Sequence, residues 1–296
     1  MKIAFMGTPE FSVNPLKEVN KNFGVDTIFT QPPKKSNRGM KKLMSPVHLE
    51  GDNLGIETRY PSKLIEDYNF FLNKKFDLVI VAAYGQIIPD SFLKECLFIN
   101  IHASLLPKWR GAAPIQRSIM NRDSETGISI MKIEKELDSG PVMFQKKCPV
   151  TIQTIHGDLE KQLSLIGSEL IVEAINKIKN NNFSFNDQNH DEATYAKKIT
   201  KLDEEINWNN SAENIIAKIH ALSPSPGSFF IHKDSKFKIF KCKIFNDFKG
   251  QPGEMLCEKN NLFIACKDKS IEVLEIQKSG KKKQNIKEFL RGNSFN

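Results

Sequence analysis

The feature that most constrains the fold is a run of consecutive apolar residues at positions 78–83, directly after Asp77. A strand whose neighbouring side chains are all apolar is buried on both faces, which is typical of the centre of a parallel sheet covered by helices. Further apolar runs at 2–6, 25–30 and 97–102 predict strands that alternate with helical stretches. This order predicts an α/β fold with a doubly wound, mostly parallel sheet.

The last third of the chain has a different pattern. A long amphipathic helix is predicted over 154–180, and a polar segment follows it. A short helix comes next, with Asn210 as its expected N-cap. Short strands with alternating apolar residues then run from 229 to 273, and they predict a small β-barrel. We therefore expect a catalytic domain over 1–186, a linker over 187–206 and a second domain over 207–296.

The composition limits the class of protein. No apolar run of the 296 residues approaches the length of a membrane-spanning helix, and the first apolar run is too short for a signal peptide. The five cysteines are odd in number and scattered, which indicates free thiols in a reducing compartment. The six histidines form no cluster with the spacing of metal ligands. We expect a cytoplasmic protein without a metal.

The basic charge is concentrated in two places. The formal net charge is +8, and residues 201–296 contain 17 Lys and Arg against 12 Asp and Glu. The segment QPPKKSNRGMKKLMS at 31–45 contains four lysines and one arginine in a predicted long loop. Such clustering is compatible with a polyanionic partner, although a solvated lysine-rich surface has the same composition.

Three polar residues are candidates for the chemistry. Asn100 and His102 lie two positions apart on a predicted strand, so their side chains share one face at its carboxyl end. Ligands of open α/β sheets bind beyond these ends. An amide can donate to a developing oxyanion and an imidazole can move a proton. Asp138, in a Gly- and Pro-rich turn, is the third candidate. Taken alone, a structural histidine and a turn aspartate are the commoner explanations of such residues.

The segment HASLLPKWRGAAPIQ at 102–116 closely resembles the signature of the 10-formyltetrahydrofolate-dependent formyltransferases. The resemblance runs nearly end to end, through MGTPEF at 6–11, VAAYG at 81–85, LDSG at 137–140 and TYAKKI at 194–199. The Ser-Leu-Leu-Pro block is specific to folate-dependent formyl transfer. The two-domain length, the basic loop and the basic tail are similar to those of the branch that formylates methionyl-initiator tRNA.

The resemblance implies a formyltransferase-type, Rossmann-like catalytic domain and an OB-like tRNA-binding domain in a monomer. It implies 10-formyltetrahydrofolate as the formyl donor and initiator methionyl-tRNA as the partner. The residues that it implies are Asn100, His102 and Asp138 for catalysis, Ser104, Leu105, Leu106 and Pro107 for folate binding, and Arg38, Lys41 and Lys42 for tRNA binding. The catalytic positions are the same three that the residue types indicate.

Four alternative functions fit the sequence less well. A formyltransferase that acts on an amino sugar nucleotide has a similar layout, but it needs no long basic loop. Formyltransferases of purine synthesis end near 200 residues and leave the second domain unexplained. A non-catalytic RNA-binding protein would not need Asn100, His102 and Asp138. A nicotinamide cofactor is disfavoured because the turn after the first strand contains a single glycine, Gly7, where GxGxxG needs three.

Overall fold

The structure, a computed structural model, describes residues 1–35 and 42–295. The chain divides into two units. The N-terminal unit consists of Met1–Gly111, Gly127–Cys148 and Glu160–Tyr195, and the C-terminal unit of Ala112–Thr126, Pro149–Leu159 and Ala196–Asn296. Each unit is therefore assembled from segments that are separated in the sequence.

In chain order the strands are β1 (Ile3–Gly7), β2 (Thr27–Phe29), β3 (Lys34–Lys35), β4 (Lys42–Leu43), β5 (Glu57–Arg59), β6 (Leu78–Ala82), β7 (Leu97–His102), β8 (Arg110–Gly111), β9 (Glu125–Lys132), β10 (Val142–Pro149), β11 (Tyr195–Ala196), β12 (Ser228–His232), β13 (Ser235–Phe245), β14 (Met255–Glu258), β15 (Asn261–Ala265), β16 (Ser270–Lys278) and β17 (Gln284–Asn285). The strands β1, β2, β6 and β7 lie within the predicted runs at 2–6, 25–30, 78–83 and 97–102, or extend one residue beyond them, whereas several short strands such as β3 and β17 are polar.

The helices lie mostly between these strands. They are α1 (Val13–Phe23), α2 (Pro46–Leu54), α3 (Tyr68–Lys74), α4 (Asp90–Leu93), α5 (Pro114–Met120), α6 (His156–Lys179), α7 (Lys201–Glu204), α8 (Ala212–Ala221) and α9 (Ile286–Leu290), with short 3₁₀ turns at Glu10–Ser12, Leu64–Asp67 and His190–Glu192. The long helix expected over 154–180 is confirmed as α6.

The N-terminal unit contains a seven-stranded sheet in the order β10-β9-β7-β6-β1-β2-β5. The strands β5, β2, β1, β6 and β7 pair in parallel, whereas β7 and β9 pair antiparallel. Every residue of β1 and β6 is buried, as expected for continuous apolar runs at the centre of a parallel sheet. The predicted mostly parallel α/β fold is confirmed.

The chain direction across the sheet changes beside β1. From β1 the chain builds β2 and β5 on one side, and it then crosses to β6 on the other side. The carboxyl ends at such a switch point form the ligand-binding crevice of open α/β sheets. Hydrogen bonds fix the loops there: Thr8 Oγ1 donates to the Tyr84 carbonyl at 2.8 Å, and Gln31 Nε2 donates to the Gly85 carbonyl at 2.8 Å. The loops that follow β1, β2 and β6 are thus hydrogen-bonded to one another at this edge of the sheet.

The C-terminal unit is built on an antiparallel sheet in the order β12-β13-β16-β15-β14, with β17 paired to β16. Alternate strand residues and α8 form its core, which includes Ile215, Ile219, Phe230 and Ile264. The alternation of apolar and polar residues predicted this β-domain, and the prediction is confirmed. No helix in the described ranges 1–35 and 42–295 is long and apolar enough to cross a membrane.

The expected N-cap of α8 is wrong by one residue. Ser211, not Asn210, is the N-cap, because its extended backbone places its hydroxyl where it accepts a hydrogen bond from the Asn214 N–H. The carbonyl of Asn210 accepts instead from Lys267 N at 3.1 Å. Asn210 therefore belongs to the turn before the helix.

An ion pair connects two segments of the C-terminal unit. Arg117 of α5 donates to both carboxylate oxygens of Asp203 in α7, at 2.9 and 3.3 Å. Burial by itself raises the pKa of Asp203, but the hydrogen bonds from Arg117 and from the N–H and hydroxyl of Thr200 outweigh burial and lower it to about 2. The charged form is thus favoured in the folded state.

We predict that Asp203→Asn lowers the free energy of unfolding by about 1–2 kcal/mol at neutral pH, since part of the energy of this partly buried pair is screened by solvent. A carboxyl whose pKa is lowered by folding stabilises the protein above its unfolded pKa of about 4 and loses that effect as the pH falls toward 2. Urea unfolding at several pH values measures the difference between wild type and variant. Glu213→Gln, at the more exposed Arg122–Glu213 pair, is the control and should change stability little. A difference that stays constant down to pH 2 would contradict the assignment.

Candidate active site

Two of the predicted catalytic residues lie at the end of β7. This strand ends at His102, and Asn100 lies two residues earlier on the same face. His102 is 5% exposed, whereas Asn100 retains partial exposure, so that its amide is accessible to a ligand. In the antiparallel pairing with β9, Asn100 lies opposite Met131 and His102 lies opposite Ser129.

The structure brings the third residue to the imidazole. Asp138 Oδ2 lies 3.7 Å from His102 Nδ1, and it accepts a hydrogen bond from Gly111 N at 2.8 Å. On the other side of the ring, His102 Nε2 lies 3.0 Å from the Trp109 carbonyl oxygen. Because a carbonyl oxygen only accepts, Nε2 carries a proton in this hydrogen bond. The ring orientation is therefore defined from both sides.

The backbone of residues 109–111, at the start of β8, takes part in both contacts. Trp109 supplies the carbonyl that holds His102, and Gly111 supplies the N–H that holds Asp138. The segment is itself fixed by Thr194, whose carbonyl accepts from Arg110 N at 2.8 Å and whose hydroxyl accepts from Trp109 N at 2.9 Å. Sequence reasoning assigned no role to Thr194, although the TYAKKI segment belongs to the resemblance.

The four residues expected at the folate begin two positions after His102 and lie in a loop that is held by hydrogen bonds within it. Ser104 is fully buried, and its hydroxyl donates to the Lys108 carbonyl at 2.6 Å. Leu105 and Pro107 are half-buried, Leu106 is buried, and the Leu106–Pro107 peptide bond is cis. The loop therefore presents a largely apolar wall beside the catalytic candidates.

Two residues that the sequence did not single out hold this loop. Ser129 of β9 is fully buried; its hydroxyl donates to the Ser104 carbonyl at 2.7 Å and accepts from Leu106 N at 3.0 Å. Gln145 of β10 donates to Ser129 Oγ at 2.9 Å and to the Leu106 carbonyl at 2.8 Å. The polar Ser129 inside the buried run of β9 was an available signal, because polar residues are buried only when they are hydrogen-bonded. Gln145 is exposed and gave no such signal.

The expected tRNA-binding residues lie mostly outside the described chain. Arg38 and Lys41 fall between residues 35 and 42, which the structure does not describe. Lys42 begins β4, and its backbone pairs with Lys35 of β3 in a two-stranded antiparallel ladder. The ends of the basic loop are thus joined by strand pairing.

The arrangement can support group transfer to a nucleophile. Asn100 supplies an amide donor at the strand end, where a developing negative charge can be stabilised. His102, oriented by Asp138, can accept or donate a proton. Across residues 1–35 and 42–295, no group of three His, Cys, Asp or Glu side chains is placed to hold a metal ion. The fold and this arrangement of side chains are those expected of an α/β enzyme that transfers a group to a nucleophile.

The chain belongs to the formyl transferase family. Residues 1–175 match the family described as "Formyl transferase", and residues 198–294 match "Formyl transferase, C-terminal domain". The chain is similar to the methionyl-tRNA formyltransferase of Pelagibacter ubique (strain HTCC1062), with 48% identity over 301 residues, covering 99% of this chain and 96% of the relative. The resemblance of 102–116 to this family is confirmed.

Solved structures share the fold at lower identity. The N-formyltransferase from Helicobacter canadensis, in complex with folinic acid and dTDP-3-aminofucose, is 22% identical with a TM-score of 0.71, covering 92% of this chain and 98% of that chain. HypX from Aquifex aeolicus, in complex with tetrahydrofolic acid, is 16% identical with a TM-score of 0.68, covering 98% of this chain and 47% of that chain. At these identities the likeness is one of fold.

We predict that Ser129→Ala lowers the free energy of unfolding by about 1–3 kcal/mol, because it leaves the buried Leu106 N–H and Ser104 carbonyl without their partner. The matched control is Ser168→Ala in α6, where a buried hydroxyl makes one hydrogen bond, to the Ser164 carbonyl. Chemical denaturation of both variants measures the difference. Equal effects of the two substitutions would show that the loop does not depend on Ser129.

Proposed function

We propose that this protein transfers the formyl group of 10-formyltetrahydrofolate to the α-amino group of methionyl-initiator tRNA. The observation that carries the proposal is the 48% identity, over 99% of the chain, to a relative named for this activity. The identity covers both family domains, so the acceptor-binding and donor-binding regions are both included. Because charged tRNA is the acceptor, we place the reaction in the cytoplasm.

The catalytic step follows from the residues at the end of β7. The free amine of the methionyl ester attacks the formyl carbon, and the formyl oxygen gains negative charge. The Asn100 amide donates to this oxygen. His102 assists the transfer of a proton from the attacking amine toward N10 of the folate, as the bond from the formyl carbon to N10 breaks. Asp138 holds the imidazole in this orientation.

The donor is proposed to lie along Ser104, Leu105, Leu106 and Pro107. The loop fits a flat heterocycle with an apolar face, because Leu105 and Pro107 are half-buried beside the catalytic candidates. Ser129 and Gln145 hold the loop by donating hydrogen bonds to the Ser104 and Leu106 carbonyls, respectively. The Ser129→Ala variant should therefore bind tetrahydrofolate more weakly, on the order of ten-fold, as measured by calorimetric titration.

The tRNA is proposed to be bound by the basic loop and by the C-terminal domain. Arg38, Lys41 and Lys42 are the proposed loop contacts. We propose a catalytic domain over 1–186, a linker over 187–206 and a tRNA-binding domain over 207–296. Residues 201–296 contain 17 Lys and Arg, which suit a phosphate backbone. A single chain contains both parts, so we propose that a monomer acts.

An acceptor assay tests the proposal. The protein is incubated with 10-formyltetrahydrofolate and, in parallel, with methionyl-initiator tRNA, methionyl-elongator tRNA or an amino sugar nucleotide. Formylmethionine recovered from the initiator alone supports the proposed function. The N-formyltransferase from Helicobacter canadensis, solved in complex with dTDP-3-aminofucose, shares the fold and motivates the last arm. Formylation of the sugar nucleotide instead would retain the chemistry and overturn the acceptor.

We predict that Asn100→Ala and His102→Ala each lower kcat at least about 100-fold, because each removes a group used in the transition state. Tetrahydrofolate affinity should change little, since neither residue belongs to the Ser104–Pro107 wall. Steady-state kinetics and a binding titration separate the two effects. A variant with near-wild-type kcat would remove its residue from the mechanism.

We also predict that tRNA affinity falls steeply with salt, because neutralising phosphates releases counterions. Arg38→Ala should weaken binding and reduce the slope of log K against log salt by about one unit per lost contact. Filter binding at several salt concentrations measures both quantities, with Lys21→Ala, at an exposed position of α1 outside both proposed tRNA-binding parts, as the control. A flat salt response would argue against docking through the phosphates.

A further inference from the structure

A buried hydrogen-bond network contacts the backbone of the turn that carries Asp138 and has no part in the proposed chemistry. It consists of Arg110, which is 3% exposed, and Gln188, which is 8% exposed. Gln188 lies in the polar segment after α6, where most neighbours are exposed. A buried amide in such a segment requires partners, and its partners indicate what it does.

The Gln188 amide uses all of its hydrogen-bonding capacity. Its Oε1 accepts from Arg110 Nε at 3.1 Å and from Arg110 Nη2 at 2.7 Å. Its Nε2 donates to the carbonyl oxygens of Asp138, at 2.9 Å, and Gly140, at 2.7 Å. One side chain thus joins the Arg110 guanidinium to the backbone on both sides of Ser139.

The turn that Gln188 holds is conformationally demanding. Asp138 has φ +49°, in the left-handed region that residues with a side chain rarely adopt. Gly140 is pressed against β9, since a Cβ built on it would lie 2.1 Å from the Lys132 carbonyl oxygen. Such a backbone persists only where surrounding contacts maintain it. Gln188 supplies two of these contacts.

Arg110 connects the turn to the opposite side of the site. Its neighbours Trp109 and Gly111 contact His102 and Asp138 through their backbone, while its own side chain reaches Gln188. Its Nη2 also donates to His190 Nδ1 at 3.1 Å. The Asp138 carboxylate therefore accepts a hydrogen bond from Gly111, and the Asp138 carbonyl accepts one from Gln188. Gly111 lies in β8, and Gln188 is bonded to the side chain of Arg110, the other residue of β8.

We propose that Gln188 is a positioning residue that sets the distance between the Asp138 carboxylate and the His102 ring. For its effect on kcat this inference rests on the proposed function, whereas its effect on the ring environment does not. The carboxylate lies at the end of a short side chain, so any shift of the strained turn moves it by a similar amount. Misplacement of a catalytic group by about 1 Å can cost on the order of 100-fold in rate.

The amide is specifically required because it both donates and accepts. A glutamate at this position has the same shape and pairs with Arg110, but it has no N–H to offer the Asp138 and Gly140 carbonyls. Gln188→Glu therefore separates the two roles: the link to Arg110 remains, and the hold on the Asp138 turn is lost. A residue that only fills space or neutralises Arg110 would tolerate this change.

The experiment compares Gln188→Glu with Asn189→Asp, a matched control that adds the same charge one residue later at an exposed position. Both substitutions are made in the wild type and in Asp138→Asn. The first readout is kcat and KM for 10-formyltetrahydrofolate and methionyl-tRNA. The second, which needs no substrate, is the position of the His102 imidazole ¹⁵N resonances, assigned with His102→Gln. Thermal unfolding establishes that each variant is folded.

We expect Gln188→Glu to lower kcat at least about ten-fold in the wild type, with both KM values within about three-fold. In Asp138→Asn the same substitution should cost less than two-fold, since the carboxylate that it positions is already gone. The His102 resonances of Gln188→Glu should move toward those of Asp138→Asn, while Asn189→Asp leaves them in place.

Three results would overturn the inference: a kcat within two-fold of wild type, an equal loss in both backgrounds, or unchanged His102 resonances. If Gln188→Glu does not fold, Gln188→Asn, which keeps the amide but cannot reach both carbonyls, is measured with the same expectations. If the wild type formylates no acceptor, the proposed function fails, and the resonance positions alone decide the role of Gln188.

Discussion

The burial of β1 and β6 on both faces is the constraint on which the N-terminal unit depends. Strands this apolar are stable only at the centre of a sheet, and the long crossover connections, which contain helices such as α1 and α4, allow their pairing to be parallel. Parallel pairing places the carboxyl ends of β1, β6 and β7 at one edge. His102 lies at that edge because β7 ends there. The location of the site is thus a consequence of how the apolar strands are buried.

The local geometry of the site depends on a second feature, the backbone of residues 109–111. This segment offers a carbonyl to His102 and an N–H to Asp138, so that three consecutive residues hold two side chains that are 36 positions apart in the chain. Other side chains hold the neighbouring loops in the same way, through hydrogen bonds to the backbone. Ser129 and Gln145 secure the loop that follows His102, and Gln188 secures the turn that carries Asp138. Polar contacts to the backbone, rather than ion pairs, supply most of this positioning.

Several parts of the fold could be predicted because their signals are local. The apolar run at 78–83 predicts β6, and the spacing of leucines and isoleucines predicts α6. The N-cap of α8 shows the limit of such reasoning: Asn210 and Ser211 are both good caps, and the choice depends on which backbone is extended. In the same way, a glutamine in a polar segment carries no sequence signal that separates Gln188 from its exposed neighbours.

The sequence by itself determined the fold class, the two types of domain and the identity of Asn100, His102 and Asp138 as candidates, since apolar periodicity and the HASLLP segment are properties of neighbouring residues. Only the tertiary structure decided that Asp138 meets His102 at 3.7 Å, that Gly111 and Trp109 hold the pair, and that Gln188 supports it from 50 residues beyond Asp138. These contacts join residues far apart in the chain. Their geometry depends on loop conformations that are fixed by hydrogen bonds between segments distant in the sequence, which local patterns do not encode.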